Sequence, residues 1–139
     1  MAGGTAADQD TALRVLVVED EMAIALLLQS MLVGFGCTVL GPVARLDKAL
    51  DIAQREAIDL AILDVNINGR EVYPVAAALS ARGIPFVFAT GYGKAGLRAP
   101  YRDCLTLQKP YREDDLRAAV AAAAVQRGQG RSELPRRSS

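Results

Sequence analysis

The 139-residue chain contains no histidine. That absence removes Ser-His-Asp and Cys-His catalysis, histidine-ligated metal sites, and any mechanism that carries phosphate on an imidazole of this chain. Cysteine is scarce: Cys37 and Cys104 form no C-x-x-C and read as unrelated buried thiols in a reducing compartment. No apolar run follows a basic segment, so neither a signal peptide nor a membrane span is expected, and a cytoplasmic location is. Net charge is missing too. Sixteen Lys and Arg balance sixteen Asp and Glu, which gives no reason to expect nucleic acid or an anionic membrane as partner. What remains is apolar, 51% of residues with a mean hydropathy of +0.17, enough for one compact soluble domain.

Both ends lack periodicity. Residues 1–12 and 127–139 read as tails, the second basic, with Arg127, Arg131, Arg136 and Arg137 against Glu133. Between them, in 13–126, short apolar runs at 14–18, 37–40, 60–63, 86–89 and 105–107 lack strict alternation and predict strands covered on both faces. Helical stretches at 22–33, 46–55, 72–82 and 114–126 separate most of them. The connection 91–103 is broken by Gly91, Gly93, Gly96 and Pro100, so at most a short helix is expected there. Repeated β-α units predict an α/β fold: a doubly wound five-stranded parallel sheet of order 2-1-3-4-5 with helices on both faces, its site at the carboxyl ends of the strands.

Those ends carry Glu19, Asp20 and Glu21 after the first strand, Asp64 after the third, Thr90 after the fourth, and Lys109 and Pro110 after the fifth. Clustered carboxylates repel unless they share a cation. Oxygen donors without histidine suit Mg²⁺, to which the backbone carbonyl of Asn66 can add a ligand. An Asp carboxylate is also a nucleophile toward phosphorus. Asp64 is the candidate, with Lys109 and the Thr90 hydroxyl placed to neutralise and position phosphoryl oxygens. A cis peptide before Pro110 would aim Lys109 at the site, although only about one X-Pro bond in twenty is cis and the sequence leaves the isomer open.

These residues resemble the receiver domain of two-component response regulators over about residues 13–126. The resemblance implies a flavodoxin-like receiver fold in which Glu19 and Asp20 bind Mg²⁺, Asp64 accepts phosphate, Thr90 is the switch hydroxyl and Lys109 contacts the phosphoryl group. It implies a sensor histidine kinase or histidine phosphotransfer protein as phosphate source and a further protein downstream. A monomer is expected, with a dimer left open. The chain would catalyse its own modification only and is not expected to be a turnover enzyme. Phe88-Ala89-Thr90-Gly91-Tyr92 resembles the FAT GUY subgroup, mainly stand-alone single-domain regulators, as does the short loop 64–69. Two positions depart from typical receivers. Asn68 stands in place of the usual proline after the phosphoacceptor, and Thr106 occupies the place of the aromatic that usually follows the switch threonine. Signalling is therefore expected to run through ordering of 91–103. Tyr92 and Tyr101 suit either a partner surface or packing.

Three other classes are weaker. An aspartyl phosphatase commonly resembles Asp-x-Asp, but position 66 is Asn. A nucleotide site is not spelled by Gly91-Tyr92-Gly93-Lys94. An unphosphorylated docking module would have been favoured by loss of a key residue, and all five are present.

Overall fold

The structure is a computed structural model and describes residues 12–91 and 96–138, with side-chain detail through Gln126. The expected N-terminal tail lies outside them except for Ala12, as do Tyr92, Gly93 and Lys94. In chain order the elements are β1 (Arg14–Val18), α1 (Met22–Gly34), β2 (Thr38–Val43), α2 (Leu46–Arg55), β3 (Leu60–Asp64), a small hairpin of β4 (Asn66–Ile67) and β5 (Arg70–Glu71), α3 (Tyr73–Ala81), β6 (Phe86–Thr90), β7 (Thr106–Gln108) and α4 (Glu113–Ser138). The main sheet is parallel with order β2-β1-β3-β6-β7, the expected 2-1-3-4-5 counted over its own strands.

Alternation along the central strands divides the core into two layers. Leu16, Val18, Ala61, Leu63 and Phe88 face α2 and α3, and Val15, Val17, Leu60, Ile62 and Val87 face α1 and α4. Every residue of β3 is buried, which is why that strand shows no polar alternation in sequence. In α4, Glu113, Asp114 and Asp115 sit at the positive end of the helix.

Three local features differ from the sequence reading. Strand β2 continues past residue 40 through a bulge, because Leu16 pairs with Leu40 but Val18 with Val43. Gly41 makes this possible: its φ is +99°, and a Cβ there would lie 2.7 Å from the Val43 nitrogen. The backbone of α4 stays helical through 127–138, where the sequence suggests a tail. The β4–β5 hairpin has no counterpart in the sequence reading, although Asn68-Gly69 is a strong hairpin signal. Both residues have positive φ, 52° and 81°, as a two-residue primed turn requires. Of the connection 91–103, residues 92–95 lie outside the described residues; within 97–103 the one helical turn is 3₁₀, Tyr101–Asp103, and the Lys109–Pro110 peptide is cis.

The two thiols are free and on opposite sides of the sheet. Burial pushes the Cys37 thiol up from its ordinary pKa, so less of it is the reactive thiolate at a given pH. Alkylation at mildly alkaline pH, followed by peptide mass mapping, should therefore label the half-buried Cys104 first and Cys37 only on unfolding. Equal labelling rates in the folded protein would contradict the burial of Cys37.

Candidate functional site

Register alone brings the polar strand ends together. Val18 pairs with Leu63, so Glu19 follows β1 beside Asp64. Asp64 pairs with Ala89, which sets Thr90 one residue farther along the next strand. Thr90 pairs with Gln108, and the Lys109 N–H donates to the Thr90 carbonyl at 3.1 Å. The bulge in β2 completes the edge, because the Glu19 N–H donates to the Val43 carbonyl at 3.0 Å.

Glu19, Asp64 and Thr90 are the buried polar residues among those described. Lys109 Nζ lies 3.0 Å from Glu19 Oε1 and 3.0 Å from Asp64 Oδ2, joining two carboxylates with one ammonium. Burial, and then the neighbouring Asp64, raise the Glu19 pKa above the usual carboxylate range, with Lys109 acting the other way. For Lys109, burial works against the charge, yet the hydrogen bonds to Asp64 and Glu19 outweigh it and raise its pKa. Tyr111 donates its hydroxyl to Glu19 Oε1 at 3.3 Å, and burial beside these carboxylates pushes its pKa well up, keeping the phenol protonated.

Asp20 is half-buried, and one oxygen each from Glu19, Asp20 and Asp64 lie within 4.8 Å of one another. An all-oxygen donor set of three carboxylates fits a hard divalent cation. The Asn66 N–H donates to Asp64 Oδ1 at 3.3 Å. Asn66 pairs with Glu71 between the hydrogen-bonded positions of the hairpin, so its N–H and C=O both face out of the ladder.

Five expected site residues, Glu19, Asp20, Asp64, Asn66 and Lys109, thus lie together at the strand ends, and Thr90 joins them by register. Sequence reasoning singled out Asn68 only as a departure from the family pattern, and it missed Tyr111 and an aromatic cluster behind Thr90. In that cluster Phe88 meets Tyr73, Phe86 and Tyr101 edge-on at 5.8, 5.4 and 5.6 Å, and Tyr73 stacks on Tyr101 at 4.9 Å. Tyr101 is therefore a packing residue here. Thr106 pairs with Phe88, so the strand position that lacks an aromatic still adjoins one.

A family model for the response regulator receiver domain matches residues 15–121, and the chain belongs to that family. Phosphorelay signalling through a receiver domain is the function that membership supports. The chain is 42% identical to SdrG from Sphingomonas melonis Fr1, whose solution structure matches with a TM-score of 0.72 over 81% of this chain and 97% of that one. It is 44% identical to the BeF3-activated conformation of SdrG from Pseudomonas melonis Fr1, at a TM-score of 0.69 over 81% and 98%. Transcriptional regulatory protein PdtaR of Mycobacterium tuberculosis is 31% identical over 126 residues, 86% of this chain. The chain spans 62% of the length of that relative. Among the described residues no helix is long and apolar enough to cross a membrane.

Proposed function

We propose that this chain is a cytoplasmic response regulator whose Asp64 accepts a phosphoryl group from a phosphohistidine on a sensor histidine kinase or histidine phosphotransfer protein. The observation that carries this reading is the Asp64 carboxylate, buried at a strand end and held by Lys109 beside Glu19. An Asp64 oxygen attacks phosphorus, the P–N bond breaks, and its electron pair stays on the donor imidazole. Glu19, Asp20, Asp64 and the Asn66 carbonyl would hold Mg²⁺, which when bound supplies charge neutralisation at the phosphoryl oxygens. Lys109 pairs with one such oxygen and the Thr90 hydroxyl with another. That a relative 44% identical is known in a BeF3-activated conformation supports the assignment, since BeF3 is a stand-in for a carboxylate-bound phosphoryl group.

Receiver unit 13–126 belongs, in this reading, to the FAT GUY subgroup by its Phe88-Ala89-Thr90-Gly91-Tyr92 segment, and signals to a downstream protein as Thr90 repositions 91–103. The aspartyl phosphatase alternative is disfavoured, because Asn66 Oδ1 accepts the Gly69 N–H at 2.8 Å and an amide cannot serve as a general acid.

Intact mass after incubation with acetyl phosphate and Mg²⁺ tests the assignment. One added phosphoryl group is expected, absent in Asp64→Asn and after metal chelation. Addition that survives Asp64→Asn would overturn the assignment of Asp64.

A further inference from the structure

Asn68 is the residue in the site region whose identity the family pattern does not account for, and its contacts suggest a reason. Its backbone N–H donates to Asp20 Oδ2 at 2.8 Å across 48 positions of sequence. Its side-chain Nδ2 donates to the Ala44 carbonyl at 3.1 Å, just beyond the β2 bulge. Its φ is +52°, and Gly69 beside it is at +81°. Below the turn, Ile67 is fully buried in the layer against α2 and α3, so the hairpin that presents this N–H is anchored in the core. A proline at 68 could do none of this, having no N–H and a φ confined near −65°.

We infer that Asn68 is a positioning residue for the metal site, its backbone N–H orienting the Asp20 carboxylate toward Glu19 and Asp64. The inference rests on the proposed metal-binding reading. Asp20 follows the last residue of β1 by two and is half-buried, so its side chain is otherwise free to rotate toward solvent. The bond to Oδ2 leaves Oδ1 and a lone pair of Oδ2 for a cation. The rotational freedom of Asp20 is thus lost on folding and need not be lost when a cation arrives. The Nδ2–Ala44 bond and the turn hold the donor in place; the donor is the N–H.

Isothermal titration of the metal-free full chain with Mg²⁺ alone, with acetyl phosphate absent, tests this. Asn68→Pro is expected to raise the Mg²⁺ Kd by about 10-fold, the lower end of what loss of an outer-shell partner costs. Asn68→Gly keeps the N–H and the positive φ but loses the Nδ2–Ala44 bond, so its Kd should rise clearly less than that of Asn68→Pro; a rise as large as that of the proline variant would assign the effect to the side chain and overturn the role of the N–H. If Asn68→Pro does not fold, replacing the amide between Ile67 and Asn68 by an ester removes the N–H while keeping the Asn68 side chain, and the same loss is expected from it. A wild-type Kd in either the proline or the ester variant overturns the role of Asn68 while leaving the metal site standing. A wild-type chain that binds no Mg²⁺ overturns the metal-site reading and this inference together.

Discussion

Replacement of Lys109 by Met is expected to slow phosphoryl uptake at Asp64 by about 100-fold, the scale of losing one preorganised charge-stabilising group, while tightening Mg²⁺ binding. The two effects have opposite signs because the ammonium has two roles. In the metal-free chain it offsets Glu19 and Asp64, at 3.0 Å from each, and so competes with any other cation for those oxygens. During transfer its charge is needed by the phosphoryl oxygens. Intact-mass time courses with acetyl phosphate and Mg²⁺ titrations read the two separately. Unchanged uptake would remove Lys109 from the chemistry, and weakened Mg²⁺ binding would show that it supports the carboxylates rather than competing for them. Stability follows the same pair. The folded-state pKa of Lys109 is raised, so its contribution is fully present below the ordinary value of 10.5 and is lost as pH rises through the raised one. Alkaline denaturation of Lys109→Met should lack that component.

Phe88→Ala is expected to cost about 3–5 kcal/mol of folding stability, a large share of the roughly 5–15 kcal/mol a domain of this size has. Phe88 has no solvent exposure, pairs with Leu63 and Thr106 on the neighbouring strands, and carries edge contacts to three other rings. Its removal leaves a cavity between the sheet and Tyr101, so hydrogen exchange across 97–104 should quicken along with the fall in denaturation midpoint. Phe86→Ala, at a half-buried position, should cost clearly less. A loss below about 1.5 kcal/mol for Phe88→Ala would mean that the cluster repacks and that Tyr101 is not held by it.

That cluster also marks a limit of sequence reading. Five apolar runs and the acidic, hydroxyl and lysine residues after them were legible because parallel strands covered on both faces must be continuously apolar and because polar residues at their carboxyl ends share one edge. The stacking of Tyr73 on Tyr101 joins a helix start to a turn 28 residues later, and no periodicity records it. The hairpin at 66–71 was legible in principle through Asn68-Gly69, but a two-residue strand carries too little pattern to stand out. Tyr111 next to Lys109 and Pro110 has no signal of its own; only the turn of the chain after β7 sets its hydroxyl on Glu19.

The sequence by itself determined the parallel sheet and the set of groups at its edge, since these follow from local hydrophobic runs and from the handedness of β-α-β connections; the order 2-1-3-4-5 is one of the doubly wound orders that such connections allow. Tertiary structure alone decided how those groups share charge. Lys109 bridging Glu19 and Asp64, and Asp20 held by the Asn68 N–H, depend on distances of about 3 Å between residues more than forty apart in the chain. A hydrogen bond at such distances is made or lost within a few tenths of an ångström, and a one-dimensional pattern does not resolve that.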